Sequence, residues 1–188
     1  DENEMNTRLF VYFEKILDFD YSDDGLKLLI SGIYRGQVDI YLHDIVTGTN
    51  EKITNDIADE LSPRFYDNSN SIIFTSNRSS DTLVESREYE SISENFNVFI
   101  YDLNERSNVL RRVTNRDFSS REQPFALGQN RFLYLSDKSG ILNRYLANYD
   151  STISYVDTTT HYRYFARTKP LTNYKRNIVE HDIVPDTR

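Results

Sequence analysis

The chain has 188 residues, 30 of them acidic against 22 Lys and Arg, for a formal net charge of −8. With no cysteine it is barred from disulfides and thiolate metal sites, no stretch reaches the roughly 20 apolar residues of a membrane-spanning helix, and the acidic balance opposes non-specific binding to nucleic acid or anionic lipid. Hydrophobic residues at 38% and aromatics at 13%, with 14 Tyr and 11 Phe, predict a folded chain built mainly of strands.

The first residues, Asp1-Glu2-Asn3-Glu4, carry no initiator Met and do not read as a signal peptide, so the expectation is a mature form or a segment of something longer. Within residues 1–15, Arg8-Leu9-Phe10-Val11-Tyr12-Phe13 is expected to be the outer strand of a preceding unit. A first unit covers 16–60. Ile16 to Tyr21 alternates apolar and polar, the period of a strand with one buried face. Ser22-Asp23-Asp24-Gly25 is a turn, because Asp bonds nearby backbone and Gly accepts positive φ. Leu28-Leu29-Ile30 reads as a strand covered on both faces. Asp39 to Asp44 is the third strand, and Glu51 to Thr54 is a short fourth.

A second unit, 61–120, repeats the plan with Pro63 to Tyr66, Ile72 to Ser76, Asn97 to Asp102 and Leu110 to Thr114. It holds an acidic insert, 79–96, expected as a surface loop. The third unit, 121–175, has Phe125, then Phe132 to Ser136 and Asn143 to Ala147, and its last strand ends at Leu171-Thr172-Asn173. Its insert, 148–169, alternates well enough to extend a hairpin. Residues 176–188 are expected to start a further unit or form a tail.

Three phrases close the units: Ile53-Thr54-Asn55, Val113-Thr114-Asn115 and Leu171-Thr172-Asn173. Their threonines, at 54, 114 and 172, stand 60 and 58 residues apart. A near-constant interval of this kind marks a structural repeat. Four strands joined by tight turns form an antiparallel meander with two apolar faces, and radial stacking buries both. The predicted fold is therefore all-β, a β-propeller segment of about three four-stranded antiparallel blades with partial flanking blades. An open arc of this kind leaves apolar faces at both ends, so self-association to complete a ring is a further expectation.

Ser22-Asp23-Asp24-Gly25, Asp39-Ile40-Tyr41, Thr75-Ser76-Asn77-Arg78 and Thr54-Asn55-Asp56-Ile57-Ala58-Asp59-Glu60-Leu61-Ser62-Pro63 together resemble the TolB-type β-propeller repeat, over about Ile16 to Asn173. The long inserts and Asn143-Arg144-Tyr145 are similar to a subgroup in large envelope-associated proteins of Bacteroidetes-type bacteria. Two turns depart from the pattern: Asp67-Asn68-Ser69-Asn70 has no glycine, and Leu127-Gly128-Gln129-Asn130 lacks the acidic pair. The resemblance implies a non-catalytic scaffold in the periplasm or cell envelope, near the outer membrane, recognising an envelope protein or lipoprotein. It also keeps two alternatives open. One is a regulatory propeller of a prolyl-oligopeptidase or tricorn-like peptidase whose catalytic domain is absent here. The other is a glycan-binding propeller using Tyr34, Tyr89, Tyr162 and Tyr164.

No catalytic, cofactor or metal residue is assigned. His43, His161 and His181 fall in three segments without ligand spacing, and no G-x-S-x-G, phosphate loop or G-x-G-x-x-G is present. Asn77-Arg78-Ser79 matches a glycosylation sequon by chance. Innermost strands line a propeller's channel, so Asp18, Asp20, Arg64 and Glu122 are candidates for binding a cation, water or ligand, against the plainer reading of a hydrated, self-neutralising channel. The pairs Asp59-Glu60 and Arg121-Glu122 precede the innermost strands and are expected at a channel rim, where a partner would bind.

Overall fold

A computed structural model describes residues 10, 12–83, 92–114, 117–128 and 130–183. Those residues form twelve strands in three antiparallel meanders. The first sheet is β1 (Lys15–Tyr21), β2 (Lys27–Tyr34), β3 (Gln37–Asp44) and β4 (Asn50–Lys52). The second is β5 (Glu60–Tyr66), β6 (Ser71–Arg78), β7 (Ile92–Asp102) and β8 (Arg111–Arg112). The third is β9 (Arg121–Ala126), β10 (Arg131–Ser136), β11 (Asn143–Val156) and β12 (Thr160–Pro170).

The two-residue period of a strand decides how the sheets pack. In the first sheet Leu29, Ile40 and Leu42 face the second sheet, where Ile72, Phe74, Phe99 and Tyr101 meet them. The next residue along turns the other way. Ile73, Val98 and Ile100 therefore pack on Phe132, Tyr134, Tyr145 and Ala147 of the third sheet. Each such buried side chain contributes about 1.5–3 kcal/mol. This explains why β2, β6 and β10 read as continuous apolar runs: each is the second strand of a sheet sandwiched on both faces.

The recurring threonine is a clamp. The Thr54 hydroxyl accepts the Ile40 N–H at 2.9 Å and donates to Asp39 Oδ1 at 3.4 Å. Thr114 does the same between Val98 N–H (3.1 Å) and Asn97 Oδ1 (3.1 Å). Thr172 does it between Arg144 N–H (2.9 Å) and Asn143 Oδ1 (2.9 Å). In each sheet one hydroxyl thus ties the segment after the outer strand to the third strand.

The N-terminal segment departs from expectation. The described part of the N-terminal segment is no strand: Phe10 and Phe13 instead pack on Leu28, Ile30 and Tyr41, covering the outer face of the first sheet. Residues 1–9 and 11 lie outside the described set. At the other end, 176–183 opens no new sheet. It runs beside the third one, where Ile178 donates to the Leu142 carbonyl at 3.0 Å and His181 packs edge-on against Phe125. In the acidic insert, 84–91 lies outside the described residues, while 92–96 belongs to β7 and Thr82 bridges to Val109. Most of 148–169 falls in β11 and β12, which pair without interruption save one bulge near Ile153.

Candidate functional site

The innermost strands β1, β5 and β9 lie side by side, each distorted by a register shift against its neighbour. In β5 and β9 the shift coincides with a left-handed residue before proline, Ser62 (φ 51°) and Gln123 (φ 48°). Such bulges re-aim the following side chains. Arg64 Nη1 consequently reaches Asp18 Oδ2 at 2.9 Å, and Asp20 Oδ2 accepts the Phe65 N–H at 2.8 Å. On its other side the Arg64 guanidinium lies 5.2 Å from the Phe125 ring centre. His181 stands edge-on to the same ring at 5.2 Å. Asp18, Asp20, Arg64, Phe125 and His181 therefore form one row across all three sheets.

The row is electrostatically settled. Burial raises the Asp20 carboxyl, with Phe65 N–H and Arg64 pulling the other way. Burial lowers the His181 imidazole. The neutral ring fits its contacts, since Nε2 lies 2.7 Å from the Gln123 carbonyl while Nδ1 lies 3.1 Å from Arg144 Nε. A donor is required at the first and an acceptor at the second. On its opposite face β1 exposes Phe19 and Tyr21, at 54% and 56%.

A second polar group fills the junction of the first two sheets. Arg78 joins Asp56 at 2.9 Å and Glu60 at 2.6 Å, and Ser76 adds a hydroxyl to the same Glu60 oxygen at 2.9 Å. Burial pushes the Glu60 carboxyl up to about 8 against the pull of Arg78. In the next junction the signs are exchanged. Arg121 occupies the place of Glu60 and pairs with Asp117, which also meets Lys138 at 3.3 Å. Burial opposes ionisation of Asp117, but Ser119 and Arg121 outweigh it and hold that carboxyl at about 2.

The seven residues named from sequence therefore separate. Asp18, Asp20 and Arg64 come together. Glu60 and Arg121 are not rim groups: they are 0% and 3% exposed and serve the buried junctions. Asp59 is half-buried, its N–H held by Asn77 Oδ1 at 2.8 Å. Glu122 is exposed on β9. Asn77 is itself buried, which removes the sequon from the surface. Of the proposed glycan tyrosines, Tyr34 is stacked under Tyr12 at 4.4 Å, Tyr89 lies outside the described residues, and Tyr162 and Tyr164 are exposed. His43 is a core residue, its Nδ1 2.9 Å from Asn50 Oδ1. Sequence reasoning passed over Arg78, Phe125 and the docking of His181. Arg78 lay within the Thr-Ser-Asn-Arg phrase, but its partner Glu60 is set by the pairing of β5 with β6. Among the described residues no three His, Asp or Glu side chains converge as a metal ion would require.

No protein-family model matches this chain, and no curated protein matches it. Solved structures do. TolB from Acinetobacter baumannii superposes with a TM-score of 0.51 at 23% identity, over 71% of this chain and 30% of that one. A putative TolB from Agrobacterium tumefaciens gives a TM-score of 0.55 at 14% identity, over 85% of this chain and 61% of that one. The chain thus spans under two thirds of either relative. The likeness establishes the fold: three blades of a TolB-like β-propeller.

Proposed function

We propose that this chain is a non-catalytic propeller scaffold of the bacterial cell envelope, recognising a protein through its inner strands. The observation that carries this is the outward face of β1, where Phe19 and Tyr21 are exposed with ring centres 6.0 Å apart, on the opposite side of the strand from Asp18 and Asp20. Exposed aromatic anchors are the composition of protein contact surfaces. The envelope setting and the lipoprotein class of partner rest on the TolB-type repeat phrases and the fold likeness. Fold alone assigns no activity, and the paired side chains of the row are arranged to hold one another.

The test is capture from an envelope extract with the intact chain as bait, against a Phe19→Ser, Tyr21→Ser variant of unchanged unfolding midpoint. A discrete envelope protein should be retained by the parent chain and lost by the variant. Identical retention by both would refute the surface named here. Hydrolysis of peptides by the parent chain would refute the non-catalytic assignment.

A further inference from the structure

The outer edges of the three sheets differ sharply in length. β4 has three residues and β8 two, whereas β12 has eleven. Short edge strands are one way in which proteins avoid pairing with other chains. β12 lacks that protection. Beyond the reach of β10 it continues with β11 as a two-stranded arm.

Leu171 donates its N–H inward to the Arg144 carbonyl at 2.8 Å. Antiparallel alternation then turns the N–H and C=O groups of Thr168, Ala166, Tyr164 and Tyr162 away from β11. No described backbone group pairs with them. Blades of a propeller stack by their faces, so among the described residues this edge is left open.

The side chains of β12 give the edge a chemical preference. Arg163, Arg167 and Lys169 share one face, and the strand contains no acid, on a chain whose net charge is −8. Tyr162 and Tyr164 share the other face and are 54% and 53% exposed. Tyr164 stacks on Tyr149, ring centres 5.6 Å apart and planes within 7°. A cleft of about 610 Å³ opens between the arm and the outer edge of the second sheet; Val109, Tyr149 and Tyr164 stand in its walls with the cations Arg111, Arg112 and Arg163, and with Asp81 and Glu105.

We propose that β12 takes up an extended acidic segment of a partner protein as a fifth strand of the third sheet. Acidic side chains of that segment face Arg163, Arg167 and Lys169. The alternate side chains are apolar and enter the cleft beside Tyr164. Backbone pairing provides the affinity and the two side-chain rows provide the selection. A second copy of the chain is a poor occupant, because an antiparallel pair of β12 strands would set like charges opposite each other. Nucleic acid and anionic lipid are disfavoured by the net charge. This rests on the protein-recognition reading above and adds a contact to it, remote from Phe19 and Tyr21.

The experiment is calorimetric titration of the intact chain with a synthetic peptide alternating Glu with Val or Phe. Binding should weaken with salt and vanish when Lys replaces Glu. N-methylation at alternate residues should abolish it in one register and spare it in the other. Arg163→Glu with Arg167→Glu should weaken it about tenfold or more, and both positions are exposed, so folding should survive. Equal affinity for the two N-methylated registers would overturn the edge pairing. Indifference to the Arg substitutions, or a preference for anionic vesicles or acidic oligosaccharides over the peptide, would overturn the acidic-peptide assignment. If the peptide fails while the Phe19 and Tyr21 surface still captures its envelope protein, the β12 proposal falls alone. If both fail, the recognition reading falls with it.

Discussion

Arg78 Nη2 lies 2.6 Å from Glu60 Oε1, with the two side chains only 3% and 0% exposed. Asp56 completes the group from the opposite side of the guanidinium. Arg78→Met removes the cation that joins Asp56 to Glu60 and leaves the two buried carboxyls without it. The expected loss is roughly 3 kcal/mol, the cost of breaking a buried pair. Arg78→Met combined with Glu60→Gln should lose less than the single change, since an uncompensated acid is removed with its partner. Urea unfolding midpoints of the single and double variants decide it, and a double variant weaker than the single one would contradict the pairing.

The same carboxyl makes stability depend on pH. Burial raises Glu60 from its ordinary 4.5 to about 8 in the folded chain. Between these values the folded state holds a proton that the unfolded state has released. Stability therefore falls as pH rises through that window. Glu60→Gln should flatten this part of the curve. Unfolding midpoints measured at intervals across the window, for both proteins, would show it; parallel slopes would place the titrating group elsewhere.

His181 works in the opposite direction. Burial lowers its imidazole below the ordinary 6.5, so the folded state favours the neutral ring. The contribution is complete above about 6.5 and is lost as pH falls. Protection of amides 177–183 against exchange, after correction for intrinsic amide chemistry, should fall on acidification, and His181→Gln should abolish that fall. Exchange in this segment that ignores pH beyond the intrinsic amide chemistry would argue against the contact.

Replacing Thr54, Thr114 or Thr172 by Val removes a clamp hydroxyl but keeps the shape. The backbone N–H of Ile40, Val98 or Arg144 then loses its acceptor, and Asp39, Asn97 or Asn143 loses a donor. Each Val variant should lose about 1–3 kcal/mol, and Ser should restore most of it. Chemical denaturation of the three Val and three Ser variants provides the comparison, and Val variants as stable as the parent would deny the clamp its role.

Gly32 is required by a close approach. A Cβ at this position would stand 2.8 Å from the Phe13 ring. Gly32→Ala should displace Phe13 from the outer face of the first sheet while leaving β2 and β3 paired. Limited proteolysis near Phe13 should speed up in the variant, and an unchanged cleavage rate would mean that the ring shifts without releasing the segment.

Repetition and alternation were legible in the sequence because both are local. A strand's two-residue period and a phrase recurring at 54, 114 and 172 need no knowledge of what lies across the sheet. Four-stranded units, their order and their apolar faces follow from them. Clustering of Asp18, Asp20 and Arg64 was accessible by placing the first strands innermost. The burial of Glu60 and Arg121 was not, because it depends on neighbouring sheets excluding water from their pairs with Arg78 and Asp117. Nor was the fate of the terminal segments. Their apolar residues suit a strand as well as a cover, and only packing on Tyr41 at one end and Phe125 at the other distinguishes the two. Local hydrogen-bonding and hydropathy patterns determine the blades. The strength of charge pairing at the junctions, which exists only after neighbouring blades exclude water, and pairing between sheets such as Asp18 with Arg64, are decided by the tertiary structure alone.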